Sequence, residues 1–324
     1  MTLLLTGTAG FIGFHAAKKF LSLGYEVVGI DNLNDYYDVA LKKSRLDLLE
    51  KEPGFIFFRQ DLADRGAMGE ILKNFKLDRI VHLGAQAGVR YSLSNPHAYI
   101  DSNVVGTMNI LEAARLQGVE HLVYASSSSV YGANVELPFS IKDRTDHPVS
   151  LYAATKKANE LMAQTYSHLY DIPCTGLRFF TVYGPWGRPD MAYFKFAEAI
   201  TAGKAIDVYN NGDMSRDFTY VDDIIDGIVA ALARIPGAEQ RHKVYNLGNS
   251  HPERLLDMIE LLEASLGRVA TKNFMPMQPG DVYSTYADIS DSTADLGFLP
   301  KVPLAEGLNK FAEWYRIYRN LDGN

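Results

Sequence analysis

Cysteine is nearly absent. The chain of 324 residues has one, Cys174, so no intramolecular disulfide can form and a reducing compartment is the expected home. With no paired base in view, Cys174 reads as a small core residue and not as a nucleophile. Long apolar runs are missing too: no stretch approaches the ~18 residues that a membrane span requires. The N-terminus, MTLLLTGTAG, carries no basic segment ahead of its three leucines, which argues against a signal peptide. Positive charge is in deficit. The net charge of −7 disfavours nucleic acid or an anionic membrane as a partner, although a local group of arginines can still hold a small anion. The eight histidines fall in no metal-ligand spacing, so no metal is expected. Internal repeats and low-complexity segments are lacking. What remains is a cytoplasmic globular protein large enough to bury a substantial core.

The first half alternates short apolar runs with helical patterns. Strands are expected at Leu3–Thr6, Glu26–Ile30, Phe55–Arg59, Arg79–Leu83, His121–Ala125 and Thr175–Phe179, and helices at Phe11–Leu23, Ala67–Phe75, His97–Gln117 and Leu151–Leu169. Near-continuous apolar strands alternating with helices predict an α/β fold with a doubly wound parallel sheet covered on both faces. The charged segment LKKSRLDLLEKE, residues 41–52, reads as a helix with a solvated face. After about residue 180 the texture becomes loop-rich, with helices at Asp222–Ala233, Pro252–Leu266 and Leu304–Arg319. This divides the chain into a nucleotide-binding domain, 1–178, and a smaller α/β domain, 179–324, laid over its carboxyl edge. A return segment near 218–248 is expected, because Lys243–Leu247 reads as a buried strand able to rejoin the main sheet.

LLLTGTAGFIGFHAAKKFL places Gly7, Gly10 and Gly13 directly after a strand and at the opening of a helix. Gly7 permits the tight turn, Gly10 lets backbone approach a diphosphate, and Gly13 allows close helix–strand packing, with the helix N-terminus facing the negative charge. YEVVGID ends in Asp31, where a carboxylate can take both hydroxyls of an adenosine ribose and would repel a 2′-phosphate. NAD is therefore favoured over NADP. Asp61, at the end of the third strand, suits either a ribose contact or a helix N-cap.

LYAATKKANELM holds Tyr152 and Lys156 four residues apart, on one helix face. A phenol with a reference pKa near ~10 is a poor base at neutral pH, and a neighbouring ammonium that favours the phenolate corrects this. Just before it in the chain, YASSSSVYG sets four serines, Ser126 to Ser129, at the mouth of a buried strand.

Together with DNLNDYYD, AGVRYS, LRFFTVYGPWGRPDM, RDFTYVDD and QPGDVYSTYAD, these phrases carry a resemblance over essentially the whole length. The chain resembles the extended short-chain dehydrogenase/reductases and, within them, the nucleotide-sugar 4-epimerases, most closely the UDP-glucuronate 4-epimerases of the bacterial capsule-synthesis type. The resemblance implies a Rossmann-type sheet, NAD as cofactor and a UDP-sugar as substrate, with UDP-glucuronate and UDP-galacturonate interconverted. Ser127 would hydrogen-bond the 4-hydroxyl while Tyr152 takes its proton and C4 gives a hydride to NAD⁺. Lys156 would hold the nicotinamide ribose and depress the tyrosine pKa. The 4-keto sugar would turn over in the site, and hydride would return to its other face. Phe11, Ile12, Asn32, Leu62, Leu83 and Gln86 would line the cofactor beside the glycine turn, Asp31 and Asp61. Related dehydratases and decarboxylases carry an acid immediately before VYG. This chain has Ser128 and Ser129 there, hydroxyls able to orient a sugar but poor at eliminating water. Ser126 and Ser129 fit either a sugar contact or a plain strand end.

For the substrate, Thr181 stands where galactose-type relatives carry Asn. Arg188 is expected to grip a sugar carboxylate, because a guanidinium fork matches a carboxylate bidentately. Arg216 matches the family's diphosphate-binding arginine and Asp281 a position near the nucleotide ribose. Lys195 and Tyr209 are placed beside the uracil, and Arg90 is a second cation near the sugar. The competing readings are a UDP-glucose/galactose or N-acetyl 4-epimerase, a UDP-glucuronate decarboxylase, and a non-catalytic NAD-sensing binder. The presence of both Tyr152 and Lys156 argues against the last. A homodimer through the helices at His97–Gln117 and Leu151–Leu169 is the family expectation.

Overall fold

Strands that are apolar on both faces are stable only when both faces are covered, and the chain builds its centre on that rule. The computed structural model describes residues 1–278 and 283–321. Six strands come first: β1 (Thr2–Thr6), β2 (Glu26–Asp31), β3 (Phe55–Arg59), β4 (Arg79–His82), β5 (His121–Ser127) and β6 (Cys174–Phe179). Two short strands, β7 (Thr181–Tyr183) and β8 (Ile206–Val208), and the longer β9 (Ser215–Tyr220) follow before β10 (His242–Leu247) joins β6. The main sheet runs β10-β6-β5-β4-β1-β2-β3, and every pairing in it is parallel. In β1, Leu3 and Leu5 enter one apolar cluster and Leu4 the opposite one, all fully enclosed. That is the period of two expected of a strand with a core on each side.

The strand order fixes where a ligand can sit. From β1 the chain moves outward to β2 and β3, then returns to lay β4, β5 and β6 on the other side of β1. The reversal leaves a crevice at the carboxyl ends of β1 and β4, the usual ligand position in an open parallel sheet. Over this edge lies a second sheet centred on β9. It pairs with β7, with β11 (Pro252–Arg254) and with β13 (Ser284–Thr285), while β8 pairs with β12 (Lys272–Phe274). One apolar cluster runs from Leu3 and Phe14 through Phe218 to Phe311 and Tyr315. No helix among the described residues is long and apolar enough to cross a membrane.

Several sequence expectations need correction. β5 extends through Ser127, two residues beyond the expected end, so Ser126 and Ser127 are strand residues. The segment Pro252–Leu266 is a short strand followed by the helix Leu255–Leu266, because Pro252, Glu253 and Arg254 pair with β9. The helix expected from His97 is interrupted by a π-helical turn at Ile100–Val105. Helix α1 spans Phe11–Ser22 and α2 spans Val39–Leu49. The solvated face is present in α2, with Lys43 and Asp47 exposed, but two of its charges, Lys42 and Arg45, turn inward and are buried.

Burial also sets the response to acid. His15, His121 and His242 are each lowered to about 4, and His82 to about 3, chiefly because their surroundings exclude the charged ring. The unfolded chain takes up protons near pH 6.5 that the fold refuses, so stability is full above that pH and is lost as pH falls towards 4. For the fully enclosed His82 and His121 the cost by pH 4 is on the order of 3 kcal/mol each. Asp217, raised by burial to about 6, opposes this trend, as do Asp31 and Asp222, whose carboxyls burial also raises. The melting temperature is therefore expected to fall steeply between pH 6.5 and 4, and a flat profile would contradict the assignment.

Candidate active site

The crevice is shaped first by the glycine turn. Gly7 has φ +74°, and a Cβ there would lie 2.8 Å from the Gly84 backbone nitrogen, so the turns after β1 and β4 touch. A Cβ on Gly13 would be driven into the Gly7 carbonyl oxygen. Helix α1 then opens at Gly10 with no side-chain cap and no acidic residue in its first turn. Its free N–H groups and positive dipole end therefore favour an anion. Gly7, Gly10, Phe11, Ile12 and Gly13 line a cavity with Asp31, Asn32, Asp61, Leu62, Leu83 and Gln86, and its far end reaches Ser127, Tyr152, Lys156 and Arg188.

Asp31 is oriented by its own loop. Its carboxylate accepts from the Ala9 N–H at 3.1 Å and the Leu33 N–H at 2.8 Å. Burial raises its pKa, and those two N–H groups and the Lys42 ammonium act against the rise. Asp61 accepts from Asn32 Nδ2 at 2.9 Å and from the Ala63 N–H at 2.9 Å. The N-cap of the next helix, α3 (Arg65–Leu72), is Asp64, so the capping alternative for Asp61 is wrong. NAD fits these residues: an uncapped helix start for its diphosphate and a fixed carboxylate at the end of β2 for its ribose.

The chemistry-bearing end lies where the first cavity meets a second, of about 770 Å³, ample for a small-molecule ligand. Ser127, Tyr152 and Arg188 line both. Helix Leu151–Tyr170, capped by Ser150 through the Ala153 N–H, carries Tyr152, Lys156 and Glu160 at four-residue spacing. The Tyr152 hydroxyl is hydrogen-bonded to Ser127, and its ring meets Tyr99 edge-on at 6.0 Å. Ser129 donates to Ser127 Oγ from both N–H and Oγ, at 3.2 and 2.9 Å. Lys156 donates to the Ala125 carbonyl at 2.9 Å, and burial lowers its ammonium to about 8.

The ammonium expected to tune Tyr152 is turned to a backbone carbonyl in this structure. Burial pushes the Tyr152 phenol above its ordinary range; the Ser127 hydrogen bond and the Arg188 charge pull it down. Lys156 is turned to Ala125, so the cation acting on the tyrosine in this geometry is Arg188. Ser126 also resolves, towards structure: it is buried and donates to Glu160 at 2.6 Å. Glu160 in turn binds Arg178 through both oxygens, at 2.8 and 2.9 Å.

The second cavity gathers Ser128, Thr181, Lys195, Tyr209, Arg90 and Arg216, with Ser129 beside them. The Arg90 guanidinium lies 5.4 Å from the Tyr209 ring centroid. Arg216 donates from Nη1 to the carbonyls of Ser215 and Tyr283, at 2.8 and 3.2 Å. Asp281 lies outside the described residues. Arg188 is only 23% exposed, and its fork, read from the sequence as a grip on the sugar, engages Asp190 at 3.0 and 2.6 Å. Residues missed at the sequence level are Asp190, Tyr36 and Arg45. DNLNDYYD flagged the neighbourhood of Tyr36, but its partner Asp190 is 154 positions away, beyond any local pattern. Among the described residues no group of three His, Cys, Asp or Glu side chains could share a metal ion.

Comparison with known proteins bears on this geometry. Residues 3–248 match the model of the NAD dependent epimerase/dehydratase family. Protein CapI of Staphylococcus aureus is 53% identical, covering 98% of this chain and 99% of that one. A probable UDP-glucuronate 4-epimerase of Rhizobium meliloti (strain 1021) is 49% identical over 97% of each. The crystal structure of UDP-glucuronic acid 4-epimerase from Bacillus cereus, in complex with UDP-glucuronic acid and NAD, superposes with a TM-score of 0.90 at 34% identity, covering 98% of this chain and 100% of that one. The chain belongs to the NAD dependent epimerase/dehydratase family.

Proposed function

We propose that the protein is an NAD-dependent UDP-glucuronate 4-epimerase, interconverting UDP-glucuronate and UDP-galacturonate. The observation that carries this is the junction of the two cavities. Tyr152 and Ser127 stand there with a row of serine hydroxyls, and no carboxylic acid occupies positions 126–129. Bound NAD would take up the C4 hydride and return it. Ser127 holds the 4-hydroxyl against Tyr152, and Tyr152 receives its proton and later restores it. Lys156 borders the cofactor, and Asp31, Asp61 and the start of α1 hold its ribose and diphosphate. Thr181, Ser128, Arg216, Lys195 and Tyr209 hold the UDP-sugar. The enzyme works as a cytoplasmic homodimer through the outer faces of the helices in 96–117 and 151–170, serving polysaccharide synthesis.

Oxidation at C4 places a ketone β to the C5 carboxylate, an arrangement that loses CO₂ when the bond to the carboxylate stands across the carbonyl plane. A site that pins the carboxylate suppresses this, since positioning governs competing paths. Purified protein is therefore expected to form UDP-galacturonate with no stoichiometric NAD requirement and almost no UDP-pentose, read by mass spectrometry. Accumulation of reduced cofactor, or UDP-pentose as the main product, would reject the assignment.

A further inference from the structure

The loop that carries Arg188 is held from the cofactor side of the molecule. Arg45, fully enclosed in α2, donates to the carbonyl of Trp186 from Nε and Nη2, at 3.1 and 2.6 Å, and to that of Gly187 from Nη2 at 3.0 Å. Its Nη1 reaches back to the Ala9 carbonyl in the glycine turn, at 2.8 Å. Trp186 takes φ +59°, a left-handed conformation uncommon for a bulky residue and sustained only where surroundings enforce it. Two residues on, Arg188 engages Asp190 through Nε and Nη2, and Tyr36, from the loop after Asp31, donates to Asp190 Oδ2 at 3.2 Å. Tyr36 is itself set by Tyr91, 4.7 Å away between ring centroids. Among the described residues Nη1 is the guanidinium nitrogen not used on a protein acceptor, and Arg188 lines both cavities.

We propose that Asp190 and Tyr36 are positioning residues: they hold one edge of the Arg188 guanidinium so that its other edge is presented to the sugar, and so set the preference for a carboxylate at C5. This rests on the UDP-glucuronate reading above. An unheld arginine has many rotamers, and ordering it on binding costs affinity. A bidentate carboxylate partner has already imposed that order.

The test is calorimetric binding of UDP-glucuronate and UDP-glucose to NAD-loaded protein, with kcat and KM for UDP-glucuronate measured alongside. Asp190→Asn keeps the shape but loses the charged fork, and is expected to lower the glucuronate-over-glucose affinity ratio at least tenfold, with the loss in KM more than in kcat. Tyr36→Phe is expected to lower the ratio severalfold, and the double variant no further than Asp190→Asn, since both act through one group. Asp190→Glu should restore part of the ratio. Tyr36→Phe removes a single hydroxyl and keeps the test open if Asp190→Asn does not fold. An unchanged ratio in folded variants would make the contacts merely structural. A ratio that rises would mean Asp190 competes with the sugar carboxylate for the arginine. Either result overturns the proposal. Wild type that neither binds nor turns over UDP-glucuronate would instead refute the functional reading itself.

Discussion

Tyr152→Phe is expected to lower kcat by ~10²–10⁴-fold, the usual loss when a positioned acid–base group is removed. UDP-glucuronate affinity should stay within a few fold. The change deletes one oxygen. Its ring contact with Tyr99 survives, and Ser127 keeps its hydrogen bonds from Ser129, so neither the fold nor the cavity walls lose support. What is lost is the group hydrogen-bonded to Ser127 at the meeting of both cavities. Lys156→Ala should cost a comparable factor by a different route. Lys156 lines the first cavity and not the second, so its loss should also loosen cofactor retention. Cofactor content of the purified variants separates the two: full in Tyr152→Phe, depleted in Lys156→Ala. Single-turnover measurements should show no transient reduced cofactor in Tyr152→Phe. Near-normal turnover would remove Tyr152 from the chemistry.

The parts of this site that are legible in the sequence are those built from residues near one another in the chain. The glycine turn, Asp31 at the end of β2, and Tyr152 with Lys156 each lie within one strand–turn–helix unit, where spacing alone places them. Main-sheet strands are legible because burial on both faces gives unbroken apolar runs; β1 and β3 are found within a residue of their ends. β11 escapes notice because three residues, Pro252 to Arg254, are too few to show a period. Arg45 and Lys42 escape for another reason. On a helix, charge reads as solvent-facing unless the partner is known, and two of the carbonyls that Arg45 donates to lie 141 and 142 positions away. The same distance problem hides Tyr36 and Asp190. The direction of the Tyr152 shift is a tertiary property as well: it depends on enclosure and on Arg188, a residue from another element.

Behind the serines lies a buried ion pair whose disruption should have the largest effect on stability. Glu160 and Arg178 are each 4% exposed in their side chains, and the pair is bidentate. Glu160 also accepts from Ser126 at 2.6 Å, and the Arg178 guanidinium lies 4.9 Å from the Tyr131 ring centroid. Tyr131 in turn donates to Asn246 on β10 at 2.6 Å. The chain of contacts thus crosses from the helix bearing Tyr152 and Lys156 through β5 and β6 to the sheet edge. Among the described residues Arg178 Nη1 has no hydrogen-bond partner of ordinary geometry. Glu160→Ala leaves an uncompensated charge in a closed site, which costs about 3–5 kcal/mol. For a chain of this size that corresponds to a fall of roughly 5–10 °C in melting temperature. The pair as a whole need not be stabilising, because the desolvation of both charges offsets their attraction. The double variant Glu160→Met/Arg178→Met is therefore expected to recover most of the lost stability. It should not recover turnover in the same measure. Glu160 lies one helical step beyond Lys156 on the same face, and Ser126 adjoins both Ala125, the acceptor of Lys156, and Ser127. Apolar replacements fill the space but no longer hold the helix in register against β5. Calorimetric unfolding and kcat on the three variants decide the matter. A double variant with restored melting temperature and reduced kcat assigns the pair to positioning. Restoration of both would show that it only fills the core, and an undiminished stability of Glu160→Ala would mean the arginine finds water that the enclosed geometry does not allow.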